Sequence, residues 1–235
     1  MSQNYLIVTG GSRGIGLETA KLFSQNNYKA FNLSRKPCPA DSVTSIAVNL
    51  AQPDFAEDIK TQLIPQIKDA DKVILVHNAA QLKKDTVENI EADSLRQVME
   101  IGVVAPTILN RLLLPYMPPK SSIIYVGSTL SEKAVAGAFS YVVSKHTTIG
   151  LMRATCQDLM DSQIYTACVC PGFTDTPMLR DHLNNDEEII EQIKGMNAQN
   201  RLIHPAEIAE TIYFAATNPV MNGAILHANM GQKER

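Results

Sequence analysis

The chain has 235 residues, with 24 acidic and 21 basic side chains and a net charge of −3. This balance provides no basic surface for nucleic acid and no patch for an anionic membrane, so we expect a small-molecule partner. No apolar run approaches the roughly 20 residues that cross a bilayer, and the N-terminus lacks the basic and apolar regions of a signal peptide. We therefore expect a cytoplasmic protein built as one α/β domain over residues 1–235.

The first predicted elements are a strand (residues 5–8), a glycine-rich turn (residues 9–16) and a helix (residues 17–23). Such a turn needs residues that tolerate positive φ and lack a Cβ, so that backbone amides and the helix N-terminus can approach a pyrophosphate. The strand-turn-helix context predicts dinucleotide binding, with a purely structural turn as the alternative. The turn residues predicted to contact the cofactor are Gly10, Ser12, Arg13, Gly14, Ile15 and Gly16.

The glycines of this turn have the spacing Gly-x-x-x-Gly-x-Gly, at Gly10, Gly14 and Gly16. The spacing resembles the Thr-Gly-x-x-x-Gly-x-Gly fingerprint of the short-chain dehydrogenase/reductase family. The resemblance implies a doubly wound Rossmann sheet of seven mostly parallel strands with helices on both faces. Dimers and tetramers are both common on this scaffold, so we expect a homodimer or homotetramer with isologous contacts.

The second predicted strand, residues 29–33, ends where dinucleotide folds select between the two nicotinamide cofactors. An acidic side chain there would bind a ribose 2′-hydroxyl and repel a 2′-phosphate, but this chain has Ser34 followed by Arg35. Arg13 offers a second guanidinium, whose planar fork of donors suits phosphate oxygens. We therefore predict NADP(H), with solvated surface arginines as the alternative.

The third predicted strand, residues 44–50, ends at Asn49 and Leu50. By resemblance these two residues lie beside the adenine, although the family usually has Asp where this chain has Asn49. A helix is predicted from about residue 55 to residue 67, with apolar residues at helical spacing that indicate core.

The fourth predicted strand, residues 72–77, is a continuous apolar run of the kind buried in a parallel sheet. It leads into His77-Asn78-Ala79-Ala80, which is similar to the family's Asn-Asn-Ala-Gly segment. The resemblance implies that Asn78 stabilises the sheet and that Asn78 and Ala79 line the cofactor. No companion metal ligand lies near His77 in the sequence, so we interpret it as a packed strand residue.

A long helix is predicted from about residue 92 to residue 114. Many family members have Asn at the place of Gly102, where it holds a kinked helix and an ordered water of a proton relay. A glycine within a helix also costs about 1 kcal/mol relative to Ala. The resemblance therefore implies that the fourth member of the catalytic tetrad is missing.

Three residues form the pattern Ser-x(12)-Tyr-x(3)-Lys: Ser128, at the end of the fifth predicted strand (residues 122–128), Tyr141 and Lys145. Tyr141 and Lys145 are four residues apart on a predicted helix and so share one face. A free phenol has a pKa of about 10, and a neighbouring cation favours its anion. Taken alone, such a pair could be a solvated phenol and amine.

The same pattern is the active-site signature of the short-chain family. The resemblance implies that Tyr141 donates a proton to the carbonyl oxygen and that Ser128 positions this oxygen. Lys145 is implied to support the phenol and to bind the nicotinamide ribose.

The sixth predicted strand, residues 165–170, leads into a segment similar to the family's Pro-Gly-x-x-x-Thr motif, which receives the nicotinamide carboxamide. The cofactor contacts implied there are Pro171, Gly172, Thr174 and Thr176. The residues that follow, about 178–200, occupy the region that the family uses as a mobile lid. A last helix and a last strand, residues 222–227, complete the chain.

The four cysteines, Cys38, Cys156, Cys168 and Cys170, make no Cys-x-x-Cys pair. Cys168 and Cys170 alternate along one strand face, which favours buried thiols over metal ligands. We predict neither a disulfide nor a metal site.

These patterns together predict an NADPH-dependent reductase that transfers a hydride to the carbonyl of a small ketone or diketone, with Tyr141 as general acid. A catalytically impaired NADP(H)-binding regulatory protein of the same fold is the alternative, and Gly102 is the feature that supports it. An epimerase or dehydratase of the extended branch is opposed by the short chain and by the glycine spacing. Some segments are similar to the sepiapterin and benzil reductase branch, but this similarity does not derive a substrate.

Overall fold

The computed structural model describes residues 3–233, so the ends of the predicted domain, residues 1–2 and 234–235, lie outside the described residues. Across the described part, seven strands form one sheet with the order β3-β2-β1-β4-β5-β6-β7, and all neighbouring pairs are parallel. The strands are β1 Asn4–Thr9, β2 Tyr28–Ser34, β3 Val43–Ala47, β4 Lys72–His77, β5 Ser122–Val126, β6 Tyr165–Pro171 and β7 Ile225–Ala228. The predicted doubly wound α/β fold is confirmed.

Seven helices connect these strands within residues 3–233. Four of them are regular: α1 Gly14–Gln25, α4 Phe139–Asp158, α6 Glu187–Lys194 and α7 Pro205–Thr217. A short helix, α5 Pro177–His182, precedes α6. Two further helices contain a π-helical turn: α2 runs through Phe55–Asp58, Ile59–Leu63 and Ile64–Ile67, and α3 runs through Ala92–Met99, Glu100–Val104 and Ala105–Leu113.

The core lies on both faces of the sheet because successive strand residues point to opposite sides. In β1, Ile7 faces one buried cluster that α2, α3 and α4 cover, whereas Leu6 and Val8 face a second cluster that α1 and α7 cover. Since both faces are covered, the strands are continuously apolar, as expected for a parallel sheet. The strand order reverses between β1 and β4, which opens a crevice at the carboxyl ends of the strands.

Three predicted strand boundaries are wrong. β3 ends at Ala47 instead of residue 50, because the chain turns at Asn49, whose side-chain oxygen accepts from the Ala51 amide at 3.2 Å. β5 ends at Val126, and the predicted strand residue Ser128 instead caps a 3₁₀ turn, Thr129–Ser131. β7 begins at Ile225, because the preceding residues form a turn with a positive φ of 78° at Gly223.

The long helical segment Ala92–Tyr116 is more apolar than its sequence pattern indicated. By length and composition alone it could cross a membrane, with a mean hydropathy of 1.4 in its most apolar window. A core helix of an α/β sandwich passes the same test, and here Leu109 and Leu113 are fully buried against the sheet. Of the residues in this window 33% are buried, and Val104 is an apolar residue exposed on the outer side.

A buried polar network crosses from β4 to the helices that cover it. His77 Nε2 lies 2.8 Å from Asn110 Oδ1, and the Asn110 amide donates to the Tyr125 hydroxyl at 2.7 Å. The Tyr125 hydroxyl in turn lies 2.9 Å from Thr155 Oγ1. Because Asn110 Oδ1 accepts, His77 Nε2 carries the hydrogen, and Nδ1 has no hydrogen-bond partner among the described residues. The interpretation of His77 as a packed strand residue agrees with this arrangement.

We predict that His77 makes the fold sensitive to acid. Burial lowers the pKa of His77 to about 4, and the hydrogen bond to Asn110 only partly opposes this. The unfolded chain therefore binds a proton below about pH 6.5, whereas the folded chain does so only near pH 4. Stability is full above pH 6.5 and falls by about 3 kcal/mol as the pH decreases to 4.

Urea denaturation of His77→Gln and the wild type at several pH values checks this prediction. Gln keeps a donor for Asn110 and does not titrate. The free energy of unfolding of His77→Gln should therefore approach that of the wild type as the pH falls. His146→Gln, at an exposed position, is the control and should follow the wild type. A difference in the free energy of unfolding between His77→Gln and the wild type that stayed constant with pH would contradict the lowered pKa of His77.

Candidate active site

The glycine turn between β1 and α1 packs so closely that side chains do not fit in it. Gly10 and Gly14 have positive φ angles of 71° and 58°. A Cβ on Gly16 would lie 2.4 Å from the Gly10 carbonyl oxygen and 2.6 Å from the Asn78 amide nitrogen. The turn therefore forms a cradle of bare backbone at the positive end of α1, which fits a pyrophosphate.

Side chains from neighbouring strands hold this cradle in place. The Asn78 side chain donates to the carbonyl oxygens of Thr9 and Gly10 at 2.9 and 3.2 Å. The Thr9 hydroxyl accepts from the amides of Asn78 and Ala79, both at 3.0 Å. On the other side, the buried Asn32 side chain accepts from the Gly11 amide at 2.7 Å. The turn is thus fixed to β2 and β4 before any ligand binds.

A cavity of about 770 Å³ opens above the carboxyl ends of the strands, within the size range of small-molecule sites. Every residue predicted to contact cofactor or substrate lines this cavity except Gly16, which lies beneath the turn. Those that line it are Gly10, Ser12, Arg13, Gly14, Ile15, Ser34, Arg35, Asn49, Leu50, Asn78, Ala79, Ser128, Tyr141, Lys145, Pro171, Gly172, Thr174 and Thr176.

The charged side chains that line the cavity are cationic. Four cationic side chains line it: Arg13, Arg35, Lys36 and Lys145. Within residues 3–233, no Asp or Glu is among the lining residues. Arg35 is exposed at the end of β2 beside Ser34, and Arg13 lies across the glycine turn. This end of the cavity suits an anionic group.

Ser128, Tyr141 and Lys145 come together on one wall of the cavity. The Lys145 ammonium group is buried, donates to the Val126 carbonyl oxygen at 2.7 Å and lies 5.5 Å from the centre of the Tyr141 ring. The Ser128 hydroxyl accepts from the Leu130 amide at 3.1 Å, which leaves its own hydrogen free to donate. The phenol and hydroxyl thus face the cavity with a cation behind them.

The π-helical turn of α3 contains Gly102, where the family's Asn is missing. A Cβ on Gly102 would lie 2.2 Å from the Ser144 hydroxyl oxygen, so this hydroxyl occupies the space of the absent side chain. Pro106 follows four residues later and has no N–H to donate to the Gly102 carbonyl. The irregular turn is therefore present with Gly at position 102.

Residues of the predicted lid region, about 178–200, line the side of the cavity that follows β6. The Thr176 hydroxyl caps α5 by accepting from the Leu179 amide at 3.2 Å, and the Thr174 hydroxyl donates to the Gly172 carbonyl at 3.0 Å. Arg180 forms two hydrogen bonds to Asp175, at 2.5 and 2.9 Å, and this pairing lowers the pKa of the Asp175 carboxyl. The lid is thus fixed at its base.

The part of the cavity beyond Ser128 and Tyr141 has walls that the sequence patterns did not indicate. Most of these residues are apolar and come from the loop after β4, the loop after β5 and the lid. They are Leu82, Leu130, Val135, Phe173, Met178, Leu179 and Leu183, with His182 among them. Burial and the nearby Lys84 lower the pKa of His182. The sequence contained one indication of these walls, because four of the residues lie in the predicted lid region, about 178–200.

The four cysteines are free thiols, and Cys156, Cys168 and Cys170 are buried. The sulfur atoms of Cys168 and Cys170 lie 3.7 Å apart beneath Gly127, which has no Cβ to fill that space. No group of three potential metal-binding residues occurs in residues 3–233.

Comparisons with known proteins cover almost the whole chain. A family model described as Enoyl-(Acyl carrier protein) reductase matches residues 10–233. The 3-oxoacyl-[acyl-carrier-protein] reductase FabG of Vibrio cholerae is 27% identical over 96% of this chain and 95% of its own. Carbonyl reductase family member 4 of Xenopus laevis is 28% identical, with 95% of each chain covered. A short chain dehydrogenase family protein of Francisella tularensis has a similar structure, with a TM-score of 0.85, 27% identity and coverage of 97% of this chain and 98% of that one.

We predict that a side chain at position 102 is destabilising unless Ser144 is also changed. Gly102→Asn places a Cβ on the Ser144 hydroxyl, and overpacking of this kind costs about 1–3 kcal/mol of unfolding free energy. Gly102→Asn/Ser144→Ala should recover most of this loss, because the atom that remains, the Ser144 Cβ, would lie at an ordinary 3.6 Å. Urea denaturation of the four proteins in a double-mutant cycle measures the coupling. Additive effects would contradict the packing assignment.

Proposed function

Since the chain belongs to the short-chain dehydrogenase/reductase family, we propose that it uses NADPH to reduce the carbonyl group of a small ketone or diketone. The observation that carries this proposal is the meeting of Ser128, Tyr141 and Lys145 on one wall of the cavity that begins at the glycine turn. A protein that only bound the cofactor would not need this trio. The family includes proteins named for reductase activity, among them a carbonyl reductase.

The choice of NADPH is supported by the charges at the end of β2. Arg35 and Arg13 both line the cavity, Arg35 beside Ser34 at the end of β2 and Arg13 in the glycine turn. No carboxylate among the described lining residues would repel that phosphate. Forked guanidinium donors match phosphate oxygens in both charge and geometry.

The residues of the trio have separable roles in the proposed reaction. When bound, NADPH supplies the hydride. Tyr141 donates a proton to the carbonyl oxygen, and Ser128 donates a hydrogen bond that holds this oxygen in place. The Lys145 ammonium group, anchored on the Val126 carbonyl, stabilises the phenolate that remains on Tyr141.

The substrate end of the cavity favours an uncharged, largely apolar compound. Most of its walls are aliphatic or aromatic, and His182 among them can form one hydrogen bond to a second polar group of the substrate. A diketone fits this requirement because its second carbonyl can accept from a histidine. These features support the proposed ketone or diketone but do not select one compound.

A catalytically impaired NADP(H)-binding protein is the second candidate, because Gly102 lacks the amide side chain of the family's tetrad. The Ser144 hydroxyl in that space and the preserved π-helical turn weigh against it. Consumption of NADPH by purified protein over a panel of ketones, diketones and 3-ketoacyl thioesters separates the two candidates. If no compound of the panel led to NADPH consumption while NADPH still bound, the impaired binder would be favoured.

We further propose that the protein is a homodimer or homotetramer. The support is the segment Ala92–Tyr116, which is apolar but only 33% buried in its most apolar window, with Val104 exposed. A second copy of the same face would remove this surface from water in an isologous contact. Light scattering of the purified protein tests the proposal, and a monomer at all concentrations would reject it.

Replacing Tyr141 should abolish turnover and spare cofactor binding. Tyr141→Phe removes the proton donor, and loss of a general acid lowers kcat by about 100-fold or more. The Kd for NADPH, followed by fluorescence titration, should change less than about threefold because the glycine turn is untouched. Tyr165→Phe, at the start of β6, is the control and should behave as the wild type. Turnover by the Tyr141→Phe variant near the wild-type rate would show that another group is the acid.

Replacing Arg35 should change the cofactor preference. Arg35→Asp removes a charge-assisted hydrogen bond to the 2′-phosphate and adds repulsion, so the Kd for NADPH should rise about 10- to 100-fold. The Kd for NADH should change little, since its ribose carries no phosphate. Arg153→Asp makes the same change of charge on an exposed part of α4 and serves as the control. An unchanged NADPH/NADH ratio would remove the argument for NADPH.

A further inference from the structure

The loop after β4 contacts the helix that carries Tyr141 and Lys145. We propose that Asp85, in this loop, is a positioning residue that fixes the first turn of α4 and thereby the Tyr141 phenol. The inference rests on the proposed reductase function. The Asp85 carboxylate bonds to Ser140, the residue before Tyr141, so its effect on the phenol must pass through the helix backbone.

The start of α4 has no cap of its own. The residue at its N-cap position, Ala138, makes no side-chain capping hydrogen bond. The first N–H groups of any helix need acceptors from elsewhere. Asp85 supplies one from 55 residues earlier in the chain, since its Oδ1 accepts from the Ser140 amide at 2.9 Å. Its other oxygen, Oδ2, accepts from the Ser140 hydroxyl at 2.5 Å.

The backbone of Asp85 completes the attachment. Its amide donates to the Gly137 carbonyl at 3.2 Å, and its carbonyl accepts from the Phe139 amide at 3.1 Å. Asp85 and Ser140 are both buried, with 6% and 0% of their surfaces exposed. A buried carboxylate at the positive end of a helix is favourably placed. Three of these hydrogen bonds hold the backbone at Gly137, Phe139 and Ser140, and the fourth holds the Ser140 side chain, directly before Tyr141.

The loop itself is held by the residues next to Asp85. The Lys83 ammonium group donates to Ser94 Oγ and Gln97 Oε1 on α3, at 2.8 and 2.9 Å. The Lys84 ammonium group donates to Asn184 Oδ1, just beyond α5, at 2.8 Å. Asp85 is thus attached to α3 and to the segment beyond α5 as well as to α4. Such a support can set the position of the helix rather than follow it.

The consequence for catalysis follows from the position of Tyr141 in this first turn. A displacement of a reacting group by about 1 Å can reduce a rate by about 100-fold. The glycine turn, by contrast, is fixed by Thr9, Asn32 and Asn78, none of which contacts Asp85 through a hydrogen bond. Loss of the carboxylate should therefore reduce kcat and leave NADPH binding intact.

The test compares variants that remove the acceptor with one that keeps it. Asp85→Ala leaves the Ser140 amide without its acceptor, and the Asp85→Ser hydroxyl oxygen lies one bond closer to its own Cα than Asp85 Oδ1 does, too short to replace it. At least one of these two small residues should allow folding. Asp85→Asn keeps a side-chain oxygen at the same place. Glu207→Ala is the control for stability: Glu207 caps α7 by accepting from the His204 amide at 2.8 Å, on the opposite face of the sheet from α4.

We expect kcat to fall about 10- to 100-fold for Asp85→Ala and Asp85→Ser, with the Kd for NADPH within about threefold of the wild type. Asp85→Asn should restore kcat to within about threefold, since the hydrogen bond to the Ser140 amide is retained. Glu207→Ala should lose thermal stability with no change in kcat.

Two results would overturn the inference alone: an active wild type with an equally active Asp85→Ala, or a fall in kcat of equal size for Glu207→Ala. A wild type that is silent over the whole substrate panel would overturn the proposed function and this inference with it.

Discussion

The cavity depends on the close approach of helix α1 to the ends of β1 and β4. Gly16 makes this approach possible, because a single Cβ would collide with the Gly10 carbonyl and the Asn78 amide. The Asn78 side chain then satisfies the two carbonyl oxygens that the sharp turn leaves unpaired. The contact between Gly16 and Asn78 thus allows the close packing of α1 and places the Asn78 side chain where it can donate to the turn. Most other residues of the turn line the cavity, where backbone amides can bind an anion.

Much of this arrangement could be predicted from the sequence because it depends on local patterns. The glycine spacing, the apolar strands and the Ser-Tyr-Lys pattern each predict a structure within a few residues of themselves, and the structure brings these residues to one cavity. What the sequence could not indicate was contact between distant segments. The hydrogen bond between Asp85 and Ser140 joins residues 55 positions apart, and no sequence pattern relates them. The apolar substrate walls come from three loops for the same reason, and the end of β3 was missed because Asn49 makes a turn through its own side chain.

At position 102 the expected Asn is absent, but the irregular helical turn is present. The sequence indicated a lost Asn and hence an impaired relay. In the structure the irregular turn of α3 is present, with Pro106 unable to complete a regular helical bond to Gly102. The Ser144 hydroxyl fills the vacated space. The departure from the family pattern is therefore a paired change in packing between α3 and α4, which a single-position comparison does not detect.

The pairing of Arg13 with Asp181 joins the glycine turn to the lid helix α5. The two side chains are 58% and 65% exposed and 3.5 Å apart, so the pair contributes at most about 1 kcal/mol. Because both side chains are exposed to solvent, dissolved ions screen their attraction, with a Debye length of roughly 8–10 Å at ordinary ionic strength. The base of the lid, held by the two hydrogen bonds from Arg180 to Asp175, is less easily loosened. Added salt should thus weaken the contact between the glycine turn and α5 before it affects the pairing of Arg180 with Asp175.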